Sequence, residues 1–195
     1  MGEGVEHDGD PLRRAFAPLI GLAAWSVRKG HGSFLTLEFG TPHLVTREPV
    51  AAKHDTSERV RKSLARRRVY PAGEWHLWIY CCNWRVWSEG AEMACSESPD
   101  DKIVAAADDI DGQLLMDVIA DPKKGTSKFT FDQGSLLETW PWDDGNEEQW
   151  MLYMNTNDVF SYRANGCYQI CPKNGNNDDL GWRPLRSTYF GRPFQ

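Results

Sequence analysis

Five histidines, five cysteines and twenty-eight acidic residues are the groups in this 195-residue chain that could hold a metal or move a proton. Their spacing decides which chemistry is open to them. The densest stretch, GEWHLWIYCCNWRVW from Gly73 to Trp87, holds His76, the adjacent Cys81 and Cys82, and four tryptophans. Neighbouring side chains on a strand point to opposite faces, so Cys81 and Cys82 cannot readily share one metal and read as two small buried hydrophobes. Cys167 and Cys171 stand four apart, wider than the gap of a zinc knuckle, and neither a metal nor a disulfide is expected there. His7, His31, His43, His54 and His76 show neither HxH nor HExxH spacing. His31 sits in RKGHGSF between two glycines able to cradle an anion, but without the strand-to-helix context of a phosphate loop a hairpin turn is expected. No GxSxG marks a serine nucleophile. The acids of DDGNEE, Asp143 to Glu148, lack EF-hand spacing and read as a solvated loop. No catalytic residue, cofactor site or metal site is assigned, and His31 and His43 stand as the candidates for a polar site.

The elements that must position these groups are mostly strands. Phe34, Thr36 and Glu38 alternate with Leu35, Leu37 and Phe39, and Phe129 and Phe131 alternate with Lys128, Thr130 and Asp132. Helical spacing is clear in two places. Asp101–Ile110 places Ile103, Ala106, Ala107 and Ile110 on one face, with Gly112 as a stop. Ser57–Arg67 puts Val60 and Leu64 four apart amid basic residues.

The order of elements recurs. SFLTLEFGTPHLVTREP (Ser33–Pro49) matches SKFTFDQGSLLETWP (Ser127–Pro141), so that Gly40 falls on Gly134 and Thr46 on Thr139. GEWHLWIY (Gly73–Tyr80) matches EEQWMLYM (Glu147–Met154), so that Trp75 falls on Trp150 and Leu77 on Leu152. Ile20–Gly30 resembles Asp111–Gly125, and Pro11–Leu19 precedes the first set as Asp101–Ile110 precedes the second. The expected fold is α+β, mainly antiparallel β, with two copies of a helix-plus-β-meander unit related by internal duplication. Residues 1–19 form an N-terminal segment with a short helix, 20–95 the first copy, 96–171 the second, and 172–195 an irregular tail. A basic insertion, 50–68, is peculiar to the first copy.

The LTLEFG, DGQ and EQWMLY stretches resemble those of a bacterial domain-of-unknown-function family over most of Ile20–Tyr168. The resemblance implies a bacterial origin and brings no activity, ligand or catalytic residue with it.

Charge and composition narrow the classes of function. No apolar run reaches the roughly 18 residues needed to cross a bilayer. The acidic, Gly-rich start shows no basic region followed by an apolar one, so no secretory signal is read there. An odd number of cysteines without framework spacing fits reduced thiols in the cytoplasm. Net charge is -6, yet Lys53–Arg68 holds seven basic residues against two acids, while Ser96–Asn165 holds fifteen acids against five bases. That acidic half speaks against a general nucleic-acid binder. In Gly73–Trp87, Trp75, Leu77 and Ile79 belong to the core. The other face is the expected binding surface: His76, Trp78, Tyr80 and Trp84, joined by Arg66 and Arg67.

Three readings follow. The first is a non-enzymatic cytosolic interaction protein whose partner is another protein, by analogy with compact, acidic bacterial immunity proteins. The second is an enzyme whose polar residues, His31, His43 or His76 near acids, converge in a cleft between the copies. The third is a single-stranded nucleic-acid binder that stacks bases on Trp78, Tyr80 and Trp84.

Overall fold

Asp10 accepts the Leu12 amide through its side chain and starts α1 (Pro11–Phe16), with proline at the first turn, where its missing N–H costs nothing. A 3-10 turn, Ala17–Leu19, continues it. β1 (Trp25–Lys29), β2 (Leu35–Phe39) and β3 (His43–Arg47) follow, then α2 (Glu58–Leu64), β4 (Arg68–Ala72), β5 (Trp75–Ile79), β6 (Cys82–Ser88) and β7 (Ala91–Cys95). α3 (Asp100–Ile110) buries Ile103, Ala106, Ala107 and Ile110, the face its spacing predicts. It leads to β8 (Leu115–Asp121), β9 (Thr126–Phe131), β10 (Leu136–Pro141), β11 (Glu148–Tyr153), β12 (Asp158–Arg163) and β13 (Cys167–Pro172). Two short strands, β14 (Arg183–Pro184) and β15 (Thr188–Phe190), complete the set. This computed structural model describes residues 10–52, 54–143, 146–173, 181–186 and 188–190, the last three by their backbone.

The strands pair antiparallel into a seven-stranded sheet, β1-β2-β5-β11-β12-β13-β14, and a six-stranded sheet, β15-β8-β9-β10-β6-β7. β3 and β4 pair only with each other. The two sheets enclose one core. Trp150 is fully buried, stacked on Phe160 and Tyr162 from its own sheet and set edge-on to Phe129 of the other. Phe16 of α1 reaches the same cluster, 5.6 Å from Trp150 and 6.0 Å from Phe129. Trp75, Leu77, Trp150 and Leu152 all point into this core, as their alternation predicts.

Each half supplies strands to both sheets. The three-strand meander β1-β2-β5, preceded by α1, lies in the larger sheet before the chain crosses at Tyr80–Cys81 to β6 and β7 in the smaller one. The meander β8-β9-β10, preceded by α3, lies in the smaller sheet before the chain crosses back to β11 and β12. Where the halves meet ahead of β1 and β8, four backbone bonds link them: Gly21 N–H to Leu115 O, Gly112 N–H to Ala24 O, Ala24 N–H to Gln113 O and Leu115 N–H to Leu22 O. Exchanging Gly21 with Gly112, Leu22 with Gln113 and Ala24 with Leu115 converts each bond into another of the set. Both glycines take positive φ, +84° and +94°.

The structure corrects several expectations. A β-meander in each copy reads as a sheet of its own, and the strand–glycine–strand pattern of Ser33–Pro49 as a hairpin that pairs β3 with β2. Instead β5 is the partner of β2, and β3 leaves the sheet for β4, which leaves Leu44 75% exposed. The segment outside the meander is therefore all of 40–74, longer than the basic run alone. Trp75 and Trp150 do not occupy matching places, because β5 closes a meander and β11 follows a crossing. Part of the C-terminal tail is ordered strand, since β14 pairs with β13 and β15 covers the free edge of β8. The expected N-terminal segment, His7 included, lies outside the described residues up to residue 9, as do parts of the tail, Lys53 and the middle of DDGNEE.

Candidate functional site

The outer face of the larger sheet carries the side chains that the inner face excludes. Thr36 and Glu38 of β2, His76 and Trp78 of β5 and Tyr153 of β11 project from it, because the odd-numbered positions of β2 and β5 on either side of them are committed to the core. The β3–β4 hairpin stands over this face and contributes His43, Val45, Tyr70 and Ala72. His31 and Phe34 close one end, and Asn155, Asn157 and Lys173 the other. The result is an open groove of about 760 Å³.

At its floor, Glu38 and His76 are directly opposed across β2 and β5, and Glu38 Oε1 lies 2.8 Å from His76 Nδ1. The second carboxylate oxygen accepts the Gly73 N–H at 2.9 Å. Gly73 is required here by close approach: a Cβ would collide with the Phe39 backbone oxygen. Burial by itself would raise the Glu38 pKa. The His76 hydrogen bond and charge, the Gly73 amide and Arg28 outweigh it and hold the carboxyl below its ordinary value. The imidazole is thus oriented through Nδ1, which leaves Nε2 as its free nitrogen.

Aromatic rings make up the rest. Trp78 stacks on Tyr80 at 4.9 Å, and Phe34 meets both edge-on. His76 lies 5.7 Å from the Tyr153 ring, over which Lys173 sits at 5.8 Å. Tyr80 donates its hydroxyl to Glu148 at 3.4 Å, and burial, then the Glu148 charge, pushes its phenol well up.

The structure brings His31, His43, His76 and Trp78 together in one groove, with Tyr80 packed beneath Trp78. It removes Trp84 from the expected surface. The chain changes sheets between Ile79 and Cys82, which resets the alternation, so Trp84 is fully buried and donates its indole N–H to the Ser33 carbonyl at 2.7 Å. Arg67 is taken up by a two-oxygen bond to Glu48, whereas Arg66 lines a second concavity. That hollow, about 730 Å³ between the hairpin and α2, is lined by Arg47, Arg59, Lys62, Arg66 and Arg68 together with Val60, Ser63 and Leu64. Among the described residues, no carboxylate lines it. Glu38 was legible only as an alternating position; its role appears once the register sets it opposite His76.

All five cysteines are thiols, and Cys82 is buried with its Sγ 3.4 Å from the Gln149 carbonyl. Burial pushes the Cys82 thiol up, and burial with Glu147 and Glu148 does the same for Cys81. Among the described residues, no group of three or more His, Cys, Asp or Glu is placed to hold a metal. No helix among them is long and apolar enough to cross a membrane. No family model, curated protein or solved structure matches the chain.

Proposed function

We propose that this is a cytosolic, non-enzymatic interaction protein that seats an extended segment of a partner protein in the groove beneath the β3–β4 hairpin. The observation that carries this reading is the hairpin itself. It belongs to neither sheet, adds little to the shared core, and turns a flat sheet face into a cleft lined by Trp78, Tyr70, Tyr153 and three histidines. Aromatic side chains supply large contact area at little entropic cost, which suits an interface. The likeness to immunity proteins is an analogy of character only. The two halves are read as duplicated, supported by the recurring helix-plus-meander order and the exchangeable backbone bonds at Gly21 and Gly112. On that reading β5 corresponds to β10 and β6 to β11, which sets Trp84 rather than Trp75 against Trp150.

The test is a photo-crosslinking amino acid at position 78 or 104 of the full chain in its native host. Val104 is 45% exposed on α3, away from the groove. A single protein adduct at position 78 and none at 104 is expected; no adduct at 78, or the same adducts at both, overturns the reading.

A second reading has its own observation. His76, aligned by Glu38, has the arrangement of a general base with its orienting carboxylate. A small-molecule product formed from a metabolite extract by the parent but not by His76→Asn would favour an enzyme. Base stacking by single-stranded nucleic acid loses support, because Trp84 is buried and the acids Glu38 and Glu74 line the groove.

A further inference from the structure

The inserted hairpin carries one face past two different surroundings. Its register sets His43 against Ala72, Val45 against Tyr70 and Arg47 against Arg68. Directly opposed positions two residues apart share a face, so all six side chains lie on one side of the hairpin. The first four line the aromatic groove, and the two arginines line the basic hollow. Groove and hollow therefore follow one another along a single strand face, with successive same-face pairs about 7 Å apart.

Four of the five cations of the hollow divide into two sets, the fifth, Lys62, being paired with Glu58. Arg47 donates Nη2 to the Ser63 carbonyl at 2.7 Å, and Arg68 donates Nη2 to Ser63 Oγ at 2.8 Å. These bonds tie α2 to the hairpin and give the hollow its shape. Arg59 and Arg66 are exposed and line it. The ion pairs of the insertion are internal, Lys62 with Glu58 and Arg67 with Glu48, so they leave Arg59, Arg66 and Arg68 without a carboxylate salt bridge among the described residues. Like charges gathered around one concavity repel each other, and an anion entering it relieves that repulsion.

We propose that the hollow receives acidic side chains of the same extended partner segment that the groove holds, so that the protein selects an acidic segment; this rests on the groove reading above. An extended chain advances about 3.4 Å per residue. A carboxylate roughly two to four residues from the side chain seated at Trp78 and Tyr70 therefore reaches Arg68, Arg66 and Arg59. A nucleic-acid backbone fits less well, because its evenly spaced phosphates would have to pass Glu38 and Glu74 in the groove.

The experiment is selection of short random peptides displayed on phage against the full chain, followed by affinity measurement of the selected peptides at low and physiological salt. Enriched peptides should pair an aromatic or aliphatic residue with Asp or Glu at that spacing. Their affinity should fall about tenfold in the triple variant Arg59→Gln/Arg66→Gln/Arg68→Gln and recover in the corresponding triple Lys variant. Selection of neutral or basic peptides, no enrichment, or equal binding to parent and triple variant overturns the proposal. Arg59→Gln alone, at an exposed side chain, keeps the test decisive if the triple variant does not fold. Peptides that need Trp78 but no acid overturn the hollow and leave the groove reading standing. Acidic peptides that need the arginines but are indifferent to Trp78→Ala remove the groove reading, and the shared segment with it.

Discussion

Glu38 is held by three neighbours rather than one: the His76 ring, the Gly73 amide and the field of Arg28. Its folded-state pKa is lowered, so the stability it contributes is fully present above the ordinary value of 4.5 and is lost as pH falls through the depressed folded value. The difference in melting temperature between the parent and Glu38→Gln should therefore shrink as pH falls below about 5. Thermal melts of both proteins across that range check it, and a gap that widens toward acid would contradict it. At Cys82 the thiol is buried and its pKa raised, so the reactive thiolate is scarce. Iodoacetamide applied to the native protein should leave Cys82 unmodified by peptide mass analysis, and the denatured protein should lose that protection.

At the scale of elements, β11 and the insertion are opposites. Trp150 on β11 packs against four rings and donates its indole N–H to Ser127 Oγ at 3.0 Å, with both residues fully buried. Trp150→Ala should cost on the order of 3–5 kcal/mol in chemical denaturation, because a rigid two-sheet core cannot close over the space left behind. Ser127→Ala leaves that buried donor unsatisfied and should cost about 1–3 kcal/mol. α2, by contrast, buries none of its residues. Replacing Thr56–Arg67 with a Gly and Ser bridge should leave the melting temperature close to that of the parent while reducing the salt dependence of partner binding. Rim charges act on association more than on folding. A deletion that unfolds the protein would place α2 in the core.

For the whole molecule, the decisive feature is that neither half owns a sheet. The larger sheet is joined at the β5–β11 pair and the smaller at β10–β6, and each seam brings together strands from both halves. A fragment ending at residue 95 would leave β5 and β6 with unpaired edges and half of each inner face exposed. Fragments 1–95 and 96–195 should each give poorly dispersed amide spectra alone and a dispersed, native-like spectrum when mixed. Dispersed spectra from either fragment alone would show that a half folds independently.

Period-two alternation sufficed for the strands and for Trp75, Leu77, Trp150 and Leu152 in the core, because strand geometry and apolar transfer are local. Helical spacing sufficed for α3, and clustered charge for an exposed α2. Alternation also set His76 and Trp78 on the face opposite the core. Local pattern failed where the chain changes partner. Nothing between Ile79 and Cys82 signals the crossing that buries Trp84, and nothing in HLVTR says that β3 pairs with β4 instead of β2. Strand partners far apart in sequence are chosen by the closure of two inner faces on one core, a non-local condition. The same closure set Glu38 opposite His76 and stood His43 and Tyr70 over Trp78. Local pattern thus separates inward from outward residues within a strand but not across a sheet crossing, as Trp84 shows, and which outward residues meet depends on pairing across the chain rather than along it.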